Sequence, residues 1–284
     1  MPELPEVETI RRGLEKHIVG KTITGVEVRL ARLFTGEAHE LVGSRIEAIR
    51  RFGKGLVIDL SNGYSITAHV KMTGQFVHEG NESKGFHPNL ITPFHLPDKH
   101  THVIFTLRDI DGGESTLYYN DIRQFGWLKV VKTTEVKNQP FFKALGPEPF
   151  ADLTLPLFKK IVISSTMPIK PLLMDQGKIS GIGNIYANDA LYASCIDPRR
   201  RSNTLAPLEL ESLFTAILEV LEEGLRHGGA SETNYIQVDG GKGSYQDHFL
   251  VYGKSGKKCV RCGSIIERIK QGGRSTFFCP TCQS

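Results

Sequence analysis

The chain has 284 residues, 39% hydrophobic and 23% charged, enough for two domains each with its own core. That balance excludes a disordered or fibrous protein, and no apolar run reaches the ~20 residues of a membrane helix. The acidic N-terminus is the opposite of a secretory n-region, so the expected compartment is the cytoplasm.

The net charge of +4 is unevenly placed. From Lys254 onward seven basic residues face one acid, Glu267, so the tail carries +6 and the rest −2. Such a field suits a phosphate-binding module, although a solvated basic tail has the same composition. Four of the five cysteines fall in the last 26 residues, which argues for a metal site plus one spare thiol, Cys195.

The chain opens Met1-Pro2-Glu3-Leu4-Pro5-Glu6-Val7-Glu8-Thr9. With Met1 removed, Pro2 would carry a secondary α-amine, which titrates near ~8 rather than the ~10.4 of a lysine and so offers far more neutral nucleophile at pH 7. Attack on a sugar C1′ would give an iminium directly. Glu3 and Glu6 lie within a turn of that amine, and either carboxylate can move protons. The same residues also read as an ordinary helix start, with Pro5 in the first turn, acids after it and the stripe Val7, Ile10, Leu14, Ile18.

After Gly20 the pattern alternates. Runs at 26–30, 45–49, 56–60, 64–68, 102–107, 116–119 and 127–131 predict short strands of an antiparallel β-sandwich or barrel, with the N-terminal helix against it. Three turns carry unusual residues. Phe52-Gly53-Lys54-Gly55 places Lys54 on a tight, exposed turn. Lys71-Met72-Thr73-Gly74 sets a long apolar side chain on a polar turn. Asn120-Asp121-Ile122-Arg123-Gln124-Phe125-Gly126 combines an arginine with an aromatic. Each has a bland structural reading; together Met72, Arg123 and Phe125 would make a wedge able to enter a base stack. Residues 79–99 lack periodicity and read as a long surface loop.

Pro140 and Gly146-Pro147-Glu148-Pro149 mark a boundary. The expected division is a β-sandwich domain over 1–137, a linker over 138–150, a helical domain over 151–250 and a finger over 251–284. In the helical part, Leu157, Phe158, Ile161 and Val162 form one stripe, Pro171 opens a second helix, and 208–227 forms a long one with Leu210, Phe214, Ile217 and Leu221 inward. Gly181-Ile182-Gly183-Asn184 follows a helix rather than a strand, which rejects dinucleotide binding. It predicts a tight turn and a helix starting at Asn184, whose first amides can hold a phosphate; Asn184 can equally be a plain N-cap. The glycine-rich segment 231–244 reads as a mobile cover or a linker.

Cys259-x2-Cys262 and Cys279-x2-Cys282, sixteen residues apart, have the spacing of two knuckles holding one structural Zn²⁺. Arg274 sits near the turn of the hairpin between them.

In order, the Pro-Glu-Leu-Pro-Glu opening, Asp121-x-Arg123-x-Phe125-Gly126, Gly181-Ile182-Gly183-Asn184-Ile185-Tyr186 and the four-cysteine finger resemble the bacterial formamidopyrimidine-DNA glycosylases across the whole chain. The resemblance implies a multidomain α+β fold: an N-terminal helix with an antiparallel β-sandwich, then a helix-two-turn-helix domain with a β-hairpin zinc finger, DNA running in the cleft between them. It implies a monomeric DNA-repair enzyme that removes 8-oxoguanine and ring-opened purines from damaged double-stranded DNA and then cleaves the abasic strand, with no diffusible cofactor. Carried over by position, Pro2 is the nucleophile, Glu3 the acid/base, and Lys54 and Arg274 complete the catalytic set as phosphate contacts together with Asn184. His100 and Lys170 match backbone-contacting positions more loosely; Met72, Arg123 and Phe125 match residues that fill the gap left by the extruded base. Ile122 and Gln124 depart from the family, where a proline and a second arginine are common. A zinc-finger DNA-binding protein without catalysis is the rival from another class. A sister glycosylase for oxidised pyrimidines is the nearer one, against which Leu4 speaks.

Overall fold

A computed structural model describes residues 1–80, 96–232 and 234–284. The chain divides into two compact units, one of residues 1–143 with 227–246 and one of 144–226 with 247–284.

The first unit begins with helix α1, Leu4–Ile18, whose stripe Val7, Ile10, Leu14 and Ile18 is buried as expected. Among the described residues nine strands follow: β1 (Thr22–Val28), β2 (Phe34–Thr35), β3 (Ile46–Phe52), β4 (Gly55–Leu60), β5 (Tyr64–His69), β6 (Gly74–Glu79), β7 (Thr101–Arg108), β8 (Glu114–Asp121) and β9 (Trp127–Lys132). They form a four-stranded sheet ordered β1-β7-β8-β6 and a five-stranded sheet ordered β2-β9-β5-β4-β3, antiparallel but for the short β2–β9 pair. One core draws on both sheets and α1, through residues such as Ile58, Ile66, Phe76, Phe105 and Tyr119. Periodicity missed β6, because glycine opens it and its polar Gln75 and His78 are buried rather than solvated. Of the loop expected over 79–99, residues 81–95 lie outside the described residues.

Two further segments pack with the sandwich. Helix α2, Pro140–Lys143, stays with the sandwich because Phe141 and Phe142 pack on Gly55, where an added Cβ would lie 2.6 Å from the first ring. Residues 227–246 return to it as well. Tyr235 and Val238 belong to its core, Val238 filling the space over Gly13 of α1, and the Val238 carbonyl accepts the His78 N–H at 2.8 Å. Within 231–244, Tyr235, Ile236 and Val238 are buried.

The second unit holds α3 (Leu155–Ile163), α4 (Ile169–Met174), α5 (Asn184–Ala193) and α6 (Pro207–Arg226), then the hairpin β10 (Glu267–Gln271) and β11 (Arg274–Phe278). Thr154 caps α3 through its hydroxyl. Helices α5 and α6 approach so closely at Gly224 that a Cβ there would sit 2.4 Å from the Tyr186 hydroxyl. Buried Asp189 of α5 accepts three successive N–H groups, from Leu250, Val251 and Tyr252, which fastens the segment leading into the finger to the helical layer.

Candidate functional site

In the first unit, Pro2 and Glu3 are buried at the start of α1, Glu3 only 3% exposed. The two carboxylates cap the helix reciprocally, the Glu3 side chain accepting the Glu6 N–H. Glu6 turns back into the helix cap, one oxygen accepting the Glu3 N–H at 2.8 Å and the other the Ala230 N–H at 2.8 Å. Gly229, at φ +80°, makes room for it: a Cβ would lie 2.7 Å from Glu6.

Glu8, one turn on, joins α1 to β3. It pairs with Arg11, Arg12 and Arg51 at 2.9 to 3.0 Å, and Arg51 also donates to the Gly53 carbonyl at 2.8 Å. Burial by itself would raise the Glu8 pKa; the hydrogen bonds from its arginines outweigh that and hold it below the usual carboxylate value.

Lys54 follows Gly53 (φ +55°) in the β3–β4 turn and is 4% exposed, not on an exposed turn as expected. The aromatic cluster Phe52, Phe141 and Phe142 covers this turn. Its charge reaches His69: burial first, then Lys71 and Lys54, push that imidazole down to about 3. Neutral His69 accepts the Lys71 N–H on Nδ1 at 2.9 Å and so holds Lys71 at φ +50° immediately before Met72.

Met72, Arg123 and Phe125 come together as expected, all exposed at their tips. Arg123 Nη1 lies 2.8 Å from the Met72 sulfur, and its guanidinium stands 4.9 Å from the Phe125 ring centre. Gln124 occupies a left-handed conformation at φ +56° and its amide oxygen accepts from Arg32. His100 is half-buried, its carbonyl accepting the Asp121 N–H at 3.0 Å.

In the second unit, Gly181 (φ +92°) turns the chain and Gly183 takes the cap position, so Asn184 opens α5 rather than capping it. Lys170 is 1% exposed. It donates to Asn184 Oδ1 at 2.7 Å, Thr276 Oγ1 at 2.8 Å and the Ser275 carbonyl at 3.1 Å. Asn188 adds a second tie, accepting the Phe277 N–H at 2.7 Å and donating to the Asn184 carbonyl. Strand β11 is thus locked to α4 and α5. Arg274, exposed, opens β11 after the two left-handed glycines Gly272 and Gly273, the backbone of a tight hairpin turn.

The four finger cysteines lie with their sulfurs all within 4.8 Å of one another, Cys259 to Cys282 at 3.8 Å and Cys262 to Cys279 at 3.5 Å. A tetrahedral Zn²⁺ with Zn–S bonds of ~2.3 Å places its sulfurs about 3.8 Å apart, so the set fits one structural zinc and leaves no open position for catalysis.

Sequence reasoning gave no role to Thr73, His69 or Asn188. Asp121 was visible in the Asp-x-Arg-x-Phe-Gly run, but only as part of the pattern.

Comparison with known proteins agrees along the chain. Residues 1–128 match the formamidopyrimidine-DNA glycosylase N-terminal domain, 145–235 the H2TH domain of the same enzymes, and 256–284 the zinc finger found in FPG and IleRS. The formamidopyrimidine-DNA glycosylase of Pelotomaculum thermopropionicum is 40% identical over 289 residues, covering 100% of this chain and 99% of the relative. That of Streptococcus mutans is 40% identical with the same coverage. Among solved structures, a Lactococcus lactis Fpg complex with abasic-site DNA superimposes with a TM-score of 0.86 at 35% identity, covering 99% of both chains. MutM bound to carbocyclic 8-oxo-G DNA gives 0.85 at 35% identity, covering both chains fully.

Fold and finger together define a zinc-finger DNA glycosylase, an enzyme class that hydrolyses N-glycosyl bonds in DNA. Within that class the chain belongs to the formamidopyrimidine-DNA glycosylase family. Among the described residues no helix is long and apolar enough to cross a membrane.

Proposed function

We propose that this protein excises 8-oxoguanine and formamidopyrimidines from duplex DNA through the Pro2 amine and then cleaves the strand at the abasic sugar. The observation that carries the reading is the burial of Pro2 and Glu3 together at the start of α1. Pro2 and Glu3 are consecutive and both buried there, so the Glu3 carboxylate is the one next in the chain to the amine and serves proton transfer. Related structures support the substrate class, since they hold abasic-site, Fapy-dG and 8-oxo-G analogue DNA.

In this mechanism Met1 is first removed. A base inside a duplex is out of reach, so it is extruded at a cost of a few kcal/mol, and Met72, Arg123 and Phe125 take its place in the stack. The Pro2 nitrogen bonds to C1′ as the N-glycosidic bond breaks and the base leaves with a proton. Glu3 protonates the sugar ring oxygen as the ring opens, giving an iminium. Loss of a C2′ proton expels the 3′ phosphate, and a second elimination expels the 5′ phosphate. Lys54, Asn184, Arg274 and His100 contact phosphates; Lys170 acts by holding Asn184 and the finger hairpin. The zinc cysteines shape the finger and take no part in bond making.

Borohydride should trap a covalent complex between the protein and DNA containing 8-oxoguanine. Pro2→Gly should weaken trapping, and Glu3→Gln should abolish excision while binding persists. A chain extended by one residue before Pro2 that still cleaves at the wild-type rate would show that the amine is not the nucleophile.

A further inference from the structure

The Met72 turn and the Arg123–Phe125 turn are 50 residues apart in the chain, yet one buried carboxylate joins them. Asp121 is fully buried at the end of β8. Its Oδ1 accepts from the Thr73 hydroxyl, and its Oδ2 accepts the Gly126 N–H at 2.7 Å. The Thr73 oxygen in turn accepts the Arg123 N–H at 2.9 Å. A single carboxylate–hydroxyl pair therefore fixes the residue after Met72, the backbone of Arg123 and the residue after Phe125.

The backbone of Asp121 is itself anchored, its N–H to the His100 carbonyl and its carbonyl to His102 Nε2 at 2.8 Å. Two glycines let the turns close on this point: a Cβ at Gly126 would lie 1.9 Å, and one at Gly74 2.8 Å, from the Tyr119 hydroxyl. Each turn also holds a non-glycine residue in the left-handed region, Lys71 at φ +50° and Gln124 at φ +56°. Such backbone persists where surrounding contacts over-determine it, and charge-assisted hydrogen bonds to a buried carboxylate are contacts of that strength.

We propose that Asp121 and Thr73 are positioning residues that clamp the two turns into one rigid insertion unit. This rests on the reading of Met72, Arg123 and Phe125 as the groups that replace the extruded base. Without the clamp the three side chains remain but no longer enter the stack as a unit, so the loss falls on extrusion and not on the chemistry at the sugar.

The test uses the full-length protein and four variants: Thr73→Val, Thr73→Ser, Asp121→Asn and Met72→Ala. Single-turnover excision of 8-oxoguanine opposite cytosine is compared with cleavage of a preformed abasic site, which has no base to extrude. A 2-aminopurine beside the lesion reports unstacking. Thr73→Val and Asp121→Asn should slow excision about tenfold and reduce the 2-aminopurine signal, with abasic cleavage within twofold of wild type; Thr73→Ser, which keeps the hydroxyl, should restore both. If Met72→Ala slows excision but Thr73→Val does not, the clamp is refuted while the insertion reading stands. If Met72→Ala itself excises at the wild-type rate, the insertion reading fails. Equal loss of both reactions in Thr73→Val, with a lowered melting temperature, would make the hydroxyl a general stability element and also overturn the clamp.

Discussion

Lys170 Nζ donates to Asn184 Oδ1 at 2.7 Å, joining α4 to α5 through two residues that the sequence presented as separate contacts. Because the same ammonium also holds Ser275 and Thr276, the Asn184 side chain and the Arg274 strand share one support. Lys170→Met should keep much of the volume but leave these acceptors without their donor. The expected cost is roughly 1–3 kcal/mol by thermal or denaturant unfolding. Affinity for DNA should fall with it, and Lys170→Arg should not restore it, since the planar fork cannot follow the ammonium's donor directions.

Arg123 is the fixed-fork donor of the insertion unit, and an orphaned cytosine offers O2 and N3 as acceptors where adenine offers a donor at N6. Arg123→Ala should reduce the preference for 8-oxoguanine opposite cytosine over adenine by roughly 1–3 kcal/mol. Met72→Ala should slow excision opposite either base alike. Single-turnover rates on both pairings decide it: a cytosine-to-adenine ratio that survives in the Arg123 variant contradicts the assignment.

Metal analysis should find one zinc per chain, and stripping it with a chelator should unfold the finger and weaken binding to damaged and undamaged DNA alike. In the zinc-loaded protein, Arg274→Ala should weaken both and lower the salt dependence by about one phosphate contact. Full affinity in zinc-free protein would contradict the role given to the finger.

His69 makes stability depend on acid pH. Its folded-state pKa, lowered by burial, Lys71 and Lys54 to about 3, lies below the 6.5 of the free side chain. Between these values the unfolded chain binds a proton that the folded one does not, so the stabilisation is complete above pH 6.5 and is lost as pH falls toward 3. The upper limit is about 5 kcal/mol over that window. His69→Asn, whose Oδ1 can still accept the Lys71 N–H, should flatten the dependence of unfolding free energy on pH between 6.5 and 4. An unchanged slope would mean that His69 titrates normally.

What the sequence by itself determined lies within short windows. The stripe of the first helix, most of the strands, the glycine turn before Asn184 and the cysteine knuckles follow from spacings that one helix, one strand or one hairpin imposes on its own residues. The family could be recognised because those local patterns recur in order. Tertiary structure decided the rest, through contacts between residues far apart in the chain. Glu6 accepts the N–H of Ala230, 224 residues away; Thr73 is fastened to Asp121 across 48; Lys170 is buried by a hairpin 105 and 106 residues further on. Burial and hydrogen-bond partnership arise from packing and not from spacing, and for that reason the sequence could propose Lys54 as an exposed lysine while the folded chain buries it.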